Sequence, residues 1–148
     1  MSADRKYEAP SPLEVVLSRF LGFFAGLGFG PSYVHLLEVR GRKSGKLYST
    51  PLSLLAMDSK QFLVAPRGRT QWVRNAEAAG EIILKKRGMR RHFRLRALTD
   101  AEKPEVLKKY LASYRGAVQR FFPVKPDASL EVFAQIAEGY PVFELIAE

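Results

Sequence analysis

A cluster of glycines and basic side chains in the first third of the chain is the first candidate for binding chemistry. It reads GRKSGKLYSTPL from Gly41 to Leu52, a composition suited to phosphate binding. A Walker-type loop requires four residues between its glycines and a Ser or Thr directly after its lysine. Here three residues separate Gly41 from Gly45, and Leu47 follows Lys46. The next residues are also poor helix formers, whereas a Walker loop opens a helix. The sequence therefore excludes a triphosphatase loop, and the cations of this turn need another anionic ligand.

Side chains that serve as nucleophiles, general bases or metal ligands are scarce in this chain. It has no cysteine, which excludes disulfides, thiolate nucleophiles and cysteine-ligated zinc. Its two histidines, His35 and His92, do not sit beside a carboxylate cluster with metal-ligand spacing. This scarcity argues against a metalloenzyme and against a Ser-His-Asp hydrolase. We therefore assign no catalytic side chain and no metal site from the sequence.

Positive charge predicts an anionic partner. The formal net charge is +9 and the isoelectric point is near 10.0, which favours nucleic acid, a lipid surface or a phosphorylated small molecule. Residues 85–96 alone carry seven cations: Lys85, Lys86, Arg87, Arg90, Arg91, Arg94 and Arg96. Such a hairpin is either a solvated surface or an electrostatic site for single-stranded nucleic acid. Phe93 alternates with the arginines and is predicted to point inward, so it is not available to stack on a base.

The length and composition predict a single domain. A chain of 148 residues with 47% hydrophobic residues can bury one core, which we assign to residues 12–148 behind a flexible N-terminus of residues 1–11. The apolar run from Pro12 to Gly30 is interrupted by Glu14 and Arg19, so it is neither a membrane span nor a signal peptide. Its spacing predicts an amphipathic helix that packs on the core, with weak docking to a membrane surface as the alternative. We expect a cytoplasmic protein.

Beyond Pro31 the pattern of hydrophobic residues predicts strands joined by tight turns. Strands are predicted over residues 32–41, 46–58, 61–66 and 140–147, with a hairpin over 81–98 that turns at Gly88. Helices are predicted over residues 70–80, closed by Gly80, then after a Thr99/Glu102 capping box, and from about Asp127. About six strands and four helices, mainly in antiparallel hairpins, indicate an α+β fold: a small β-barrel with helices packed outside it.

Two sequence blocks carry a resemblance to a known family. LLEVRGRKSGKLYSTPL, followed by FLVAPRGRTQWVRNAEAAGE, is similar to the deazaflavin-dependent nitroreductase and quinone reductase family. Its members are split β-barrel proteins related to the oxidases that bind flavin mononucleotide. The similarity runs from about Leu21 to the closing PVFEL and is most specific in the GRKSG turn and in the WVRN segment. It implies that the protein binds coenzyme F-420, an 8-hydroxy-5-deazaflavin with a phospholactyl and polyglutamate tail.

The resemblance also implies where this coenzyme would lie. The turn would meet the anionic tail through Arg42, Lys43, Ser44 and Gly45, and Arg67 would be a further tail contact. The strand residues Thr50, Pro51 and Leu52 and the segment Ala65, Pro66, Arg67 and Gly68 would lie along the ring. Trp72 and Asn75 would fix the short helix at the edge of the coenzyme. Core packing is the alternative for Trp72, and anchoring of a loop is the alternative for Asn75.

Two further features bear on specificity. Many relatives have a second arginine after the turn where this chain has Tyr48, which leaves flavin mononucleotide as an alternative cofactor. The loop PRGRTQW is also shorter than its counterpart in the nitroreductase branch, so nitro compounds are not assumed as substrates.

Near the C-terminus, Tyr110 and Tyr114 share a helical stripe that either packs at the core edge or contacts the acceptor, with Tyr110 favoured.

The expected function is therefore hydride transfer from the reduced deazaflavin to an organic small-molecule acceptor such as a quinone or an activated alkene. This chemistry asks little of protein acids and bases because the coenzyme supplies it. A flavin mononucleotide-dependent reductase, a non-catalytic flavin or deazaflavin binder, and a basic barrel for single-stranded nucleic acid are the alternatives. The oligomeric state stays open.

Overall fold

The computed structural model describes residues 34–148, so the helix predicted after Pro12 lies outside the described residues. This part contains the strands β1 (Val34–Arg40), β2 (Leu47–Ser53), β3 (Leu55–Met57), β4 (Lys60–Val64), β5 (Glu81–Lys86), β6 (Met89–Ala97) and β7 (Val142–Ala147). Its α-helices are α1 (Gln71–Ala79), α2 (Lys103–Ser113), α3 (Arg115–Val118) and α4 (Leu130–Ile136). Three short 3-10 turns occupy Asp100–Glu102, Gln119–Phe121 and Ala137–Gly139.

All seven strands belong to one sheet in the order β2-β1-β5-β6-β7-β4-β3. Every neighbouring pair is antiparallel, and the sheet curls into a half-barrel. The predicted α+β split-barrel class is confirmed.

The strand predicted over residues 46–58 is interrupted at Leu54, which is why the sheet has seven strands rather than six. The two resulting strands, β2 and β3, are consecutive in the chain yet form opposite edges of the sheet. Because Leu54 alone joins them, the edges must approach each other, and the sheet has to curl. The Tyr114 hydroxyl donates to the Leu54 carbonyl at 2.5 Å, which gives the carbonyl at the break a partner.

Two hairpins are closed by tight turns in the left-handed backbone region. Asp58 and Ser59 have φ of 54° and 63°, and Arg87 and Gly88 have φ of 53° and 78°. Positive φ at both central residues is typical of the type I′ turn, whose twist matches that of the flanking strands. The predicted turn at Gly88 is confirmed, and the register across it pairs Lys86 with Met89.

The helix boundaries follow local signals. Helix α1 ends at Gly80, whose φ of 73° is the left-handed C-cap conformation. The predicted capping box of Thr99 and Glu102 is present before α2. The helix predicted from Asp127 begins later, at Leu130. Ser129 is its N-cap, and the side chain of Ser129 accepts a hydrogen bond from the Val132 N–H.

The core has two large clusters, one on each face of the central strands, and a small third cluster around Val73. Phe62 and Val64 point from β4 toward helices α2 and α4, into a cluster that includes Leu107, Tyr110 and Phe133. On the other face, the barrel interior consists of Leu37, Val39, Leu63, Ala76, Ile82, Leu84, Phe93 and Leu145. Phe93 is buried as predicted, whereas Ala97 at the end of the same strand is exposed. Burial on both faces makes β4 a rigid support for the segment that follows it.

Candidate functional site

A cavity of about 800 Å³ lies beside edge strand β2. This volume falls within the range of small-molecule and cofactor sites. The wall combines β2 and the turn before it with the segment after β4, the start of α1 and one side chain of α2. Of the residues predicted to bind cofactor or substrate, the following line the cavity: Arg42, Lys43, Ser44, Thr50, Pro51, Leu52, Ala65, Pro66, Arg67, Gly68, Trp72, Asn75 and Tyr110. Gly45 and Tyr114 are absent from the lining.

The GRKSG turn is held by its own backbone. The Gly41 N–H donates to the Lys46 carbonyl at 2.7 Å, and the Gly45 N–H donates to the Gly41 carbonyl at 3.0 Å. Gly45 has φ of 73°, a conformation that favours glycine. Both glycine amides are thus used within the turn, so neither is free to bind a ligand.

Tyr48 covers one side of this turn. Its hydroxyl lies 3.2 Å from Ser44 Oγ, which also accepts the Lys46 N–H at 3.2 Å. A Cβ at Gly41 would come within 2.5 Å of Tyr48 Cε2, so the ring in this position packs directly on the glycine. The tyrosine that departs from the family pattern is therefore part of the turn and of the cavity wall.

Arg42 is anchored to helix α1. Asn75 Oδ1 accepts both the Arg42 backbone N–H at 3.0 Å and its Nη1 at 2.8 Å. Gln71 Oε1 accepts the same Nη1 at 2.9 Å. Asn75 is only 5% exposed, while the Arg42 side chain is exposed. The guanidinium is thereby held at the cavity wall, and of its five N–H donors the three on Nε and Nη2 remain for an anion.

Lys43 supplies a second cation at the same end of the cavity. It is exposed and makes no ion pair with a carboxylate among residues 34–148. The two cations are therefore neighbours at this end of the cavity, one held by α1 and one exposed to solvent. An anionic group at this position would gain charge-assisted hydrogen bonds.

Thr70 precedes helix α1 and contributes an orphaned polar atom to the cavity wall. Its Oγ1 is buried and has no hydrogen-bond partner among the described residues. It does not cap the helix through its side chain, although it occupies the N-cap position. A buried hydroxyl without a partner is costly, so this atom fits a bound polar ligand. Sequence reasoning placed a helix start here but did not single out the hydroxyl.

Trp72 and Arg67 have packing partners as well as cavity contacts. The Trp72 ring lies 6.2 Å from the Phe143 ring, centroid to centroid, in a tilted pair. The Arg67 guanidinium carbon lies 5.5 Å from the centroid of Phe121. For Trp72 the two predicted roles, core packing and lining of the site, coexist in one side chain because its ring lies between the core and the cavity.

The two tyrosines of helix α2 and its C-cap differ in role. Tyr110 is 3% exposed and lines the cavity, whereas Tyr114 donates to Leu54 and meets Tyr110 edge-on at 5.4 Å between ring centroids. Burial, followed by the proximity of Tyr114, raises the pKa of the Tyr110 phenol far above its usual value. Tyr110 therefore stays neutral and keeps its proton at physiological pH.

Other lining residues had no distinctive sequence signal. They are Val39, Ser49, Ser53, Val64 and Gln71. Small, apolar and amide side chains of this kind occur throughout the chain, so only their position beside β2 identifies them.

In the part of the chain that the structure describes, no helix is long and apolar enough to span a membrane.

The half-barrel with a cavity beside its edge strand β2 has the architecture of a split-barrel protein. The model of the F420H2-dependent quinone reductase family matches residues 22–127 of the 148-residue chain. The chain belongs to this family. It is accordingly an oxidoreductase, a reductase that depends on the deazaflavin coenzyme, as the sequence predicted.

Solved structures resemble the fold at low sequence identity. One described as a domain-swapped dimer has a TM-score of 0.57 and 20% identity, covering 90% of this chain and 92% of its own. The F420-H2 dependent reductase FDR-A has a TM-score of 0.52 and 21% identity, covering 77% and 94%. A putative pyridoxamine 5'-phosphate oxidase from Listeria innocua has a TM-score of 0.53 at 7% identity, covering 78% and 84%. The chain has no significant match to a curated protein.

Proposed function

We propose that the cavity beside β2 binds coenzyme F-420 with its anionic tail at Arg42 and Lys43. The observation that carries this proposal is the polarity of the cavity. Two exposed cations stand at the turn before β2, while the wall farther along contains Leu52, Val64 and Tyr110. An elongated ligand with an anionic tail and a flat, largely apolar ring matches this arrangement.

The ring is assigned to the wall formed by β2 and the segment after β4. Thr50, Pro51 and Leu52 would lie along one side, and Ala65 to Gly68 along another. The unpartnered Thr70 hydroxyl is a suitable contact for a polar group of the coenzyme. Asn75 is assigned an indirect role, because its side-chain oxygen is already used by Arg42.

When bound, the reduced coenzyme supplies the hydride, and the protein contributes position, orientation and exclusion of water. Tyr110 would contribute a neutral hydroxyl on the acceptor side, since burial keeps the phenol protonated. We assign the acceptor to the class of quinone-like small molecules. Support comes from the family to which the chain belongs and from the similarity to a reductase named for the same coenzyme.

The proposal is tested by titrating the full-length protein with coenzyme F-420 and, separately, with flavin mononucleotide while following ring fluorescence. Tighter binding of the deazaflavin, followed by its oxidation when a water-soluble quinone is added, is the expected result. If flavin mononucleotide binds more tightly, the cofactor is flavin mononucleotide and not the deazaflavin. If the reduced deazaflavin binds but no quinone oxidises it, the protein is a coenzyme carrier rather than a reductase.

A further inference from the structure

The β5–β6 hairpin ends in a compact, strongly basic tip. Its two-residue turn, Arg87-Gly88, is fixed by positive φ at both positions. Met89 follows the turn and is 65% exposed, the largest exposed fraction among the exposed large hydrophobic residues of the described chain. The hairpin tip thus presents an apolar side chain that the core does not use.

Cations lie beside this methionine in the hairpin. Arg87 and Arg91 are exposed and make no ion pair with a carboxylate in residues 34–148. Two others share one acid, since Glu38 accepts from Lys85 at 3.4 Å and from Arg90 at 3.1 Å. The local balance is therefore strongly positive, and it agrees with the net charge of +9 of the whole chain.

The strand register relates this tip to the cavity. Lys86 Nζ donates to the Val34 carbonyl at 2.6 Å, and Val34 pairs with Ser53, a residue of the cavity wall. At the other end of the same strand pair, Arg40 pairs with Leu47, next to the GRKSG turn. The hairpin tip and the cationic mouth therefore lie at opposite ends of β1. The tip lies at the Val34 end of β1, which is also the end where Ser53 contributes to the cavity wall.

We propose that the hairpin tip, defined as residues 86–91, docks the protein on an anionic phospholipid bilayer. Met89 enters the headgroup region while the surrounding arginines contact lipid phosphates, the usual division of labour at membrane interfaces. Docking in this orientation brings the end of the cavity opposite the tail site toward the membrane. The purpose of this docking rests on the proposed function: it would bring the cavity to the bilayer in which an apolar quinone acceptor dissolves.

A nucleic acid is the competing partner for a basic hairpin, and the side chains favour the bilayer. Single-stranded nucleic acid binds best where bases stack on exposed aromatic rings. Phe93, which is the one Phe, Tyr or Trp of this hairpin, is 3% exposed and lies in the barrel interior. The exposed apolar residue is instead an unbranched methionine, which suits insertion among lipid headgroups.

The test measures flotation of the full-length protein with phosphatidylcholine vesicles that contain phosphatidylglycerol, at physiological salt and without coenzyme. The double variant Arg87→Gln/Arg91→Gln should bind about 25-fold more weakly, from about fivefold for each cation near a membrane surface. Lys109→Gln/Lys125→Gln is the matched control, since it removes the same charge from exposed positions elsewhere. It should bind as the parent does.

Met89→Ser separates lipid docking from simple charge attraction because it leaves the net charge unchanged. We expect vesicle affinity to fall severalfold in this variant. The proposal is overturned if the parent protein does not bind anionic vesicles, or if the control double variant loses as much vesicle affinity as Arg87→Gln/Arg91→Gln. It is also overturned if single-stranded RNA displaces the vesicles while Met89→Ser binds RNA as tightly as the parent does. Normal vesicle binding by a protein that fails to bind the deazaflavin would refute the proposed function and leave the docking surface intact.

Discussion

Asn75 Oδ1 accepts two hydrogen bonds from Arg42, one from the backbone N–H and one from the guanidinium, although 33 positions separate the two residues. The contact joins the buried side of helix α1 to the exposed turn before β2. A nearly buried amide thereby fixes a solvent-facing cation, which lowers the conformational entropy that Arg42 would lose on binding an anion.

The first prediction concerns this pair. Asn75→Ala should weaken coenzyme binding even though the role assigned to Asn75 is indirect, because Arg42 loses its anchor. In a double-mutant cycle, Asn75→Ala and Arg42→Ala should be coupled by about 0.5–3 kcal/mol in binding free energy. Fluorescence titration of the four proteins measures the cycle. Additive losses would mean that the two residues act independently.

The second prediction concerns the cations of the turn. Arg42→Ala or Lys43→Ala should each weaken coenzyme binding by about 1.5–3 kcal/mol, the range for hydrogen bonds to charged groups. The loss should shrink as salt is raised, since exposed charges are screened. Lys46→Ala is the matched control, because Lys46 belongs to the same turn but does not line the cavity. Equal losses in all three variants would indicate a general charge effect rather than a site.

The third prediction separates the two tyrosines. Tyr114→Phe should lower the free energy of unfolding by about 1 kcal/mol, because the Leu54 carbonyl loses its donor. Tyr110→Phe should instead lower turnover with a quinone, or raise its Michaelis constant, while deazaflavin affinity stays unchanged. Denaturant unfolding and steady-state kinetics on both variants distinguish the roles. Parental kinetics for Tyr110→Phe with several acceptors would leave Tyr110 as a packing residue.

The fourth prediction is a pH dependence at the start of α2. A hydrogen bond from the Thr99 backbone N–H, then one from the Arg96 guanidinium, lowers the pKa of Glu102. A lowered folded-state pKa contributes stability above the unfolded pKa of about 4.3, and this stability is lost as pH falls through the folded value. The Tm difference between the parent and Glu102→Gln should therefore be constant near neutral pH, begin to narrow as pH falls below about 4.3, and vanish only below the folded-state pKa. A gap that does not change with pH would contradict it.

Local structure was predictable where a few neighbouring residues decide it. The turn at Arg87-Gly88, the helix end at Gly80 and the Thr99/Glu102 capping box each depend on contacts within about four positions, so a short window contains the whole cause. The interruption at Leu54 was missed for the converse reason. The run from Lys46 to Asp58 has strand composition throughout, and nothing within it marks the break.

The sequence by itself singled out the candidates for the site, namely the GRKSG turn, the WVRN segment and the tyrosine pair, and the first two indicate the family. Only the tertiary structure decided which of these residues meet. Leu54 sends β2 and β3 to opposite edges, the sheet curls, and the cavity forms along β2 with Tyr110 of α2 in its wall. The same closure gives Arg42 its partner Asn75 and places Thr70, whose hydroxyl has no hydrogen-bond partner among the described residues, in the cavity wall. These contacts join residues far apart in the chain, and their geometry depends on how the whole sheet twists and packs, which no local pattern of side chains specifies.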